Sequence, residues 1–267
     1  MRGVAAACFL VIGVVAMSAP GRADTIQLYA AGSLRAAMTE MAKPFEAETG
    51  NSVQAKYGAS GLLKDEIAGG AAAHVFASAN MGHPQALEAA KKSGPVLLFA
   101  RNRLCALVKP SLQIDSAGLL NRMLEPAIKL GTSTPKADPS GDYALEVFAK
   151  AESMTSGARA TLERKALQLT GNGTSIQPPA GRNPYGWHVA EGRADIFLAY
   201  CTAAREAQKQ NPDQQVVELP ERLAVGADYG LTVIIGAPEA ARRFAQFILS
   251  PAGQKILTDH GFGSGQK

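Results

Sequence analysis

The sequence has few aromatic residues, few cysteines and no large excess of either charge. Of its 267 residues 6% are aromatic, 19% are charged and three are cysteine, and the formal net charge is +4. No run of lysine or arginine forms a basic stripe, so we do not expect nucleic acid as a partner. With 46% hydrophobic residues, the chain can fold around one large core or two smaller ones.

Signatures of catalysis and of metal binding are also missing from the sequence. It contains no H-E-x-x-H, G-x-S-x-G or G-x-x-x-x-G-K-[ST] pattern, and its four histidines are dispersed. Without a C-x-x-C pair, no zinc site is expected. We therefore expect neither an enzyme nor a cofactor. An active site assembled from distant loops stays open as an alternative.

Residues 1–23 have the pattern of a secretory signal peptide. Arg2 precedes an apolar run over residues 4–17, and the small residues Gly21 and Ala23 stand at positions −3 and −1 of a cleavage site after Ala23. The run is shorter than the roughly 20 residues that a membrane-spanning helix needs, and an uncleaved anchor is the alternative. Cleavage halves the net charge. The signal-peptide pattern predicts an exported, soluble, periplasmic protein.

Two cysteines, Cys105 and Cys201, remain after the signal peptide. Each lies in an apolar, strand-like run, and the sequence favours two small buried side chains without a bond between them. A disulfide is the alternative that an oxidising compartment permits.

Short apolar runs alternate with helical patterns along the rest of the chain, which predicts an α/β protein with mainly parallel sheets. Strands are predicted at Ile26–Ala31, Val53–Tyr57, Val75–Ala77, Val96–Phe99, Leu104–Val108, Ile128–Gly131, Ile196–Tyr200 and Leu231–Ile235. Helices are predicted at Leu34–Glu48, Leu62–Ile67, Pro84–Ser93, Tyr143–Ala151, Gly157–Leu167, Tyr185–Glu191, Pro238–Leu249 and Pro251–His260. The first helix is expected to end at Gly50 as its C-cap residue.

Four loops rich in glycine and hydroxyl groups stand at junctions between predicted strands and helices. They contain Ser33, Ser60, Ser78 and Ser140. In an α/β sheet these junctions gather at the carboxyl edge of the strands, where helix N–H groups and serine hydroxyls can bind an anion. Each serine by itself is explained as well by a helix N-cap. Four such loops together favour an anion site.

Three of these loops form an ordered set of motifs, A-G-S-L, G-A-S-G and V-F-A-S-A, within residues 26–79. This set resembles the molybdate-binding proteins, the periplasmic receptors of ABC-type molybdate importers. Weaker matches at NRLCALVKP, GTSTPKADPSGDYALEVF, ADIFLAYCTAA and FILSPAGQKILTDHGF extend the resemblance over nearly the whole mature chain. It implies a two-lobed periplasmic binding protein fold with a ligand cleft and a hinge of two crossovers. Lobe 1 is then 24–104 with 226–267, and lobe 2 is 105–225.

The resemblance also implies the ligand and the residues that bind it. Molybdate or tungstate is held through its oxygens by serine hydroxyls and backbone amides, and the family needs no cationic side chain. The positions that match are Ser33, Ser60, Ala79, Ser140 and Tyr200, of which the tyrosine closes the pocket from the second lobe. Molybdate is fully deprotonated near neutral pH and suits a pocket made only of donors, whereas phosphate would require a carboxylate acceptor.

Two features depart from the family pattern. His74 stands where the family usually has aspartate, at a position that we expect to be structural. The segment 178–185 stands where the family uses a plain backbone amide, and here it contains Arg182, Asn183 and Tyr185. Arg182 and Asn183 are therefore candidate ligand residues, since arginine can make a charge-assisted contact with a tetrahedral anion. Arg182 covering the nearby helix is an equal alternative.

These observations predict an extracytoplasmic solute-binding protein that captures molybdate or tungstate and delivers it, as a monomer, to the membrane permease of an ABC importer. Three alternatives stay open. The first is a receptor for another oxyanion or a small anionic solute. The second is a secreted enzyme that uses the same cleft, and the third is a partner protein with a pocket that binds nothing.

Overall fold

The computed structural model describes residues 23–265, so the predicted signal peptide lies outside the described residues apart from Ala23. The strands are β1 Thr25–Ala31, β2 Ser52–Gly58, β3 Val75–Ser78, β4 Leu97–Val108, β5 Leu130–Ser133, β6 Leu167–Thr170, β7 Ile196–Tyr200, β8 Gln215–Glu218, β9 Gly226–Val233 and β10 Gly263–Ser264. The helices are α1 Arg35–Thr49, α2 Ser60–Ala68, α3 Gly82–Ala89, α4 Leu119–Leu124, α5 Pro139–Glu152, α6 Ala158–Lys165, α7 Pro184–Ala190, α8 Cys201–Gln210, α9 Glu239–Leu249 and α10 Pro251–Asp259.

The first strand and helix show how the sequence pattern produces these elements. β1 buries alternate side chains, and α1 buries Met38, Met41 and Phe45 at helical spacing against the core. Gly50 ends the helix in the left-handed conformation with φ of 72°, and its N–H donates to the Glu46 carbonyl. The predicted C-cap is confirmed.

Two groups of strands are joined through the long strand β4. The strand order is β2-β1-β3-β9-β4-β7-β5-β6, with β8 and β10 also paired to β4. Residues 97–103 of β4 pair with β9, whereas 104–108 pair with β7. The fold is therefore α/β with two lobes. The predicted lobe boundaries, 24–104 with 226–267 and 105–225, stay a prediction.

The prediction of two separate strands at Val96–Phe99 and Leu104–Val108 is wrong, because β4 is continuous through the polar residues between them. Arg101 stays in the strand and pairs with Asp228 of β9 at 3.2 Å, while Arg103 pairs with Glu218 of β8. A polar stretch that resembles a turn in the sequence is thus a strand whose side chains find partners on neighbouring strands.

The prediction of mainly parallel pairing is also wrong. β1 is parallel to β2 and β3, and β5 is parallel to β6 and β7. β9 is antiparallel to β3 and β4, and β4 is antiparallel to β7, β8 and β10. The chain returns from β8 to β9 through the short segment 219–225, and β9 then runs antiparallel to β3 and β4, which alternation of elements along the chain does not reveal.

All eight predicted helices are present, with shifted ends, and five elements were not predicted: α4, β6, α8, β8 and β10. The helix predicted at Gly157–Leu167 ends at Lys165, and Leu167 begins β6 instead. Within residues 23–265, no helix has the length and apolar character needed to cross a membrane.

A disulfide joins Cys105 of β4 to Cys201, the first residue of α8, across 96 residues of sequence. The interpretation of these cysteines as two unbonded buried side chains is wrong. Cys105 is paired with Ala199 of the neighbouring strand β7, and the chain turns into α8 directly after Tyr200, which places the Cα of Cys201 4.8 Å from that of Cys105. Only the pairing of β4 with β7 shows that they meet.

Candidate functional site: a polar cavity between the lobes

A cavity of about 340 Å³ lies between the two groups of strands. The ends of β1, β2 and β3 and the first turns of α1 and α2 line it from one lobe. From the other lobe it is lined by Asp138, the segment 170–178, the start of α7 and the end of β7. The cavity thus lies where the sequence placed its hydroxyl-rich loops, at strand ends and helix starts.

Three predicted residues, Ser33, Ser60 and Ala79, line the cavity together from the first lobe. Ser33 lies in the single 3-10 turn after β1, and its Oγ is 3.0 Å from the hydroxyl of Tyr229. Ser60 is the first residue of α2, and its Oγ accepts a hydrogen bond of 3.1 Å from the Ala79 N–H. The hydroxyl hydrogen of Ser60 is therefore available to a ligand.

The hydroxyl of Ser33 is oriented by a short relay. Asn102 donates from Nδ2 to the Tyr229 hydroxyl over 3.3 Å, so the Tyr229 O–H is free to donate to Ser33 Oγ. Burial raises the pKa of Tyr229 far above its usual range, so it keeps its hydrogen. When Tyr229 donates in this way, the Ser33 hydrogen is left for the cavity. Tyr229 and Asn102 were not predicted, because both lie outside the loop motifs.

Tyr200, the last residue of β7, lines the cavity from the second lobe. Its hydroxyl donates to the Ala79 carbonyl over 3.4 Å, and its ring packs against Tyr229 and Tyr143 with centroids 5.5 and 6.2 Å away. Burial raises its pKa well above the ordinary value, so the group is a neutral donor at any physiological pH. The structure brings four of the seven predicted residues into one cavity wall.

The predicted residue Ser140 is buried in the first turn of α5 and does not line the cavity. Its N–H donates to Asp138 Oδ1 over 3.1 Å, because Asp138 is the N-cap residue of the helix. The resemblance assigns the N–H groups at the start of α5 to the ligand. In the structure, the Asp138 side chain of the same loop accepts from the Ser140 N–H instead.

Asp138 itself lines the cavity and was not predicted as a site residue. Burial raises the pKa of its carboxyl to about 6, although the Ser140 N–H and the Ser133 hydroxyl donate to it and lower the pKa, while the nearby Asp142 raises it. The expectation of a pocket made only of donors is therefore wrong. The Asp-Pro pair before α5 indicates a helix cap in the sequence, but it does not show that the carboxyl faces a cavity.

Arg182 and Asn183 lie outside the cavity wall, and both make structural contacts. The exposed Arg182 donates to Asn211 Oδ1 over 3.1 Å. Asn183 caps α7 by accepting from the N–H groups of Tyr185 and Gly186 at 3.0 and 3.2 Å. Contact of these two residues with a ligand stays a prediction.

Other residues of the wall were not among the predicted site residues. Tyr185 lines the cavity from α7, and burial raises its pKa far above the ordinary value. Arg35, the first residue of α1, lies with its guanidinium 4.6 Å from the centre of the Tyr57 ring. His74, by contrast, lies outside the wall, where its Nδ1 accepts from the Gln27 N–H over 3.1 Å.

The two lobes touch at the edge of the cavity. The Gly61 N–H at the start of α2 donates to the Ala137 carbonyl over 2.8 Å. A Cβ at Gly61 would lie 2.4 Å from the Lys136 carbonyl oxygen and 2.6 Å from that of Ala137. Only glycine permits this close approach of the two backbones.

Two lobes of α/β structure around a polar cavity, with donors from both lobes facing it, define a binding protein for a small solute. Residues 26–263 match the bacterial extracellular solute-binding protein family, and the chain belongs to it. Among the described residues, no group of three or more histidine, cysteine, aspartate or glutamate side chains is arranged to hold a metal ion.

Three similar proteins illustrate the range of the family and the fold. An uncharacterised protein of Pasteurella multocida is 34% identical over 238 residues, covering 89% of this chain and 98% of that protein. The molybdate-binding protein ModA of Rhodobacter capsulatus is 26% identical over 266 residues, covering 98% and 96%. The structure of the sulfate-binding protein SubI of Mycobacterium tuberculosis is 19% identical, with a TM-score of 0.73 over 90% of this chain and 86% of that one.

Proposed function

We propose that the protein captures a tetrahedral oxyanion, molybdate or tungstate, and delivers it to the permease of an ABC importer. The observation that supports this proposal is the convergence of Ser33, Ser60 and Ala79 from one lobe with Tyr200 from the other on a single cavity. Similarity to ModA of Rhodobacter capsulatus over nearly the full length supports the choice of anion.

Neutral donors suffice to bind such an anion. Hydrogen bonds to a charged oxygen are each worth roughly 1.5–3 kcal/mol when the donors are held in place. The hydroxyl hydrogen of Ser60 is free for this purpose because its oxygen accepts from the Ala79 N–H, and that of Ser33 is free when Tyr229 donates to Ser33 Oγ.

A proton-bearing oxyanion such as hydrogen phosphate is the second candidate. Asp138 in the cavity wall supports it, because a carboxylate can accept the hydrogen that such an anion carries. A receptor for hydrogen phosphate would belong to the same class of protein and would use the same cleft.

Thermal unfolding of the mature protein with molybdate, tungstate, sulfate, phosphate and chromate tests the proposal. A ligand at about 100 times its Kd adds about 2.7 kcal/mol to the stability, which raises Tm by several degrees in a chain of this size. We expect shifts with molybdate and tungstate. Absence of a shift with both anions would contradict the assignment.

The double variant Ser33→Ala/Ser60→Ala tests the site itself. It removes both hydroxyls, and we expect the molybdate-induced shift to disappear, while Tm without ligand falls by a few degrees because the buried Ala79 N–H loses its acceptor. The matched control is Ser111→Ala/Ser156→Ala, which changes two exposed serines outside the cavity and should keep the full shift. Unchanged affinity in the first variant would show that the anion binds elsewhere.

The compartment and partners belong to the same proposal. We infer that residues 1–23 are removed after Ala23, so that the mature chain begins at Asp24 and acts in the periplasm. The protein then meets its permease as a monomer, and molybdenum enters the site only as the centre of the bound oxyanion. N-terminal sequencing of the exported protein measures the cleavage point.

A further inference from the structure

A single acidic residue faces the cavity. In the part of the chain that the structure describes, Asp138 is the one carboxyl-bearing residue of the cavity wall, and Arg35 is the one cationic residue. The remaining polar groups of the wall are hydroxyls, side-chain amides and backbone groups. A site for a dianion thus contains a group that repels dianions whenever it is ionised.

The carboxyl of Asp138 is held in place and is not neutralised by an ion pair. It accepts from the Ser140 N–H over 3.1 Å, and the nearby Ser133 lowers its pKa. Gly171 lies against it so closely that a Cβ there would be 2.6 Å from Asp138 Cβ. Among the described residues no salt bridge to Asp138 is found, and the neighbouring charge of Asp142 is of the same sign.

The other ionisable groups around the carboxyl do not offset its charge. Tyr185 of α7 and Tyr200 of β7 face it, and both stay neutral because burial raises the pKa of each. Lys136 precedes the helix with an exposed side chain, and Arg35 lines the cavity from the other lobe. The carboxyl itself must therefore change its charge, or share a hydrogen, when a dianion binds beside it.

We propose that the bound state of this site holds one proton between the carboxyl of Asp138 and an oxygen of the anion, which makes Asp138 the residue that determines selectivity among oxyanions. The proposal rests on the proposed function only in requiring that the cavity binds an oxyanion. No covalent bond changes except one O–H. Molybdate, tungstate and sulfate carry no proton near neutral pH, so the carboxylate takes one from solvent as they bind. Hydrogen phosphate brings its own.

The source of the proton determines how affinity depends on pH. With the pKa of Asp138 in the free protein at about 6, the carboxyl is already protonated below that pH and molybdate affinity is constant there. Above that pH, the fraction of the free protein with a protonated Asp138 falls about tenfold per pH unit. The apparent affinity for molybdate falls by the same factor. Hydrogen phosphate avoids this loss, so raising the pH favours it over molybdate.

Isothermal titration calorimetry measures this proton directly. Molybdate and phosphate are each titrated into the mature protein at pH 6 and pH 8, in two buffers with different ionisation enthalpies. We expect uptake of about one proton per molybdate at pH 8 and affinity about 50-fold weaker than at pH 6. Uptake with phosphate at pH 8 should be close to none.

Asp138→Asn is the diagnostic variant, because its amide oxygen can still cap α5 and its NH₂ group imitates the protonated carboxyl. It should take up no proton with molybdate, bind molybdate equally at both pH values and weaken phosphate binding. Asp142→Asn is the matched control on the same helix; Asp142 lies outside the cavity wall and accepts from the Lys136 N–H at 2.8 Å, and this variant should keep the proton uptake.

The outcomes separate this proposal from the proposed function. Molybdate binding without proton uptake, and with the same pH dependence in Asp138→Asn, overturns the role of Asp138 and leaves the molybdate receptor intact. Phosphate binding that depends on Asp138, without molybdate binding, supports the role of Asp138 and overturns the molybdate assignment. If neither molybdate nor phosphate binds, both proposals are wrong.

Discussion

At the scale of single residues, the site depends on hydroxyl groups whose hydrogens are oriented by their neighbours. Ser33 Oγ lies 3.0 Å from the Tyr229 hydroxyl, and Ser60 receives a hydrogen bond from the Ala79 N–H. Ser60 is left with a hydrogen to donate, and so is Ser33 when Tyr229 donates to it. If the solute is the proposed dianion, these hydroxyls supply the donors that a wall with one cationic residue among its described residues would need.

Tyr200→Phe tests the contact that reaches across the cleft. The change removes the donor to the Ala79 carbonyl but keeps the ring that packs against Tyr229. A typical hydrogen bond contributes about 0.5–1.5 kcal/mol, so we expect oxyanion affinity to fall about 2- to 13-fold and Tm without ligand to fall by a few degrees. Calorimetric titration measures the effect.

Tyr29→Phe is the control for this variant, since Tyr29 is a tyrosine of β1 outside the cavity wall. It should bind the anion like the unmodified protein. Equal affinity of Tyr200→Phe and Tyr29→Phe would show that the Tyr200 hydroxyl does not act on the ligand.

The sequence predicted the cavity residues that belong to local motifs. It did not predict those that reach the cavity only through tertiary contacts. Ser33, Ser60 and Ala79 follow strands that are clear in the sequence, so their place at a sheet edge was predictable. Asp138 was visible only as a helix cap. It becomes a cavity residue because the chain at Gly171, far away in sequence, packs against it.

At the scale of elements, the start of α2 brings the two lobes together. The Gly61 N–H donates to the Ala137 carbonyl of the other lobe, and the two backbones touch without a side chain between them. Gly61→Ala would place a methyl group 2.4 Å from the Lys136 oxygen, so the lobes must move apart. We expect a more open cleft and at least about tenfold weaker binding, a loss of roughly 1.4 kcal/mol.

Small-angle scattering with and without molybdate, together with titration, measures the effect of Gly61→Ala. Gly82→Ala in α3 is the matched control, because nothing lies within 4 Å of the added carbon and no positive φ is involved. If the Gly61 variant bound as tightly as the Gly82 variant, closure through this contact would have no part in binding.

The elements that the sequence did not reveal are those whose burial depends on distant partners. α8 begins with small residues and continues with charged ones, and it is fixed by the disulfide at Cys201 and by packing on β4. β4 passes through Arg101 and Arg103, whose partners lie on β9 and β8. Neither arrangement can be derived from local periodicity, whereas α1, α9 and α10 have regular apolar faces and were predicted closely.

At the scale of the whole molecule, the disulfide fixes the second lobe close to the point where β4 passes from one strand group to the other. Cys105→Ser/Cys201→Ser opens a closed loop of 96 residues. Bridges of this kind typically stabilise by about 2–4 kcal/mol, and we expect the free energy of unfolding to fall by that amount. Urea denaturation of the variant, and of the unmodified protein with and without reductant, measures it.

The reduced, unmodified protein should match the double serine variant, and reductant should leave that variant unchanged. Oxyanion affinity of the folded variant should stay close to that of the unmodified protein, because neither sulfur lines the cavity. Equal unfolding midpoints with and without the bridge would mean that strand pairing alone holds this part of the molecule.

The passage of β4 through both strand groups has a consequence for tracking the motion of the lobes. β1 and β10, near the two ends of the described chain, belong to the same strand group, and the second group is built entirely from residues between them. Fluorophores attached at both ends would move together as one rigid piece and report nothing about closure. An optical sensor for the solute therefore needs one dye near either end and the other on an exposed position of the inserted lobe, such as α6.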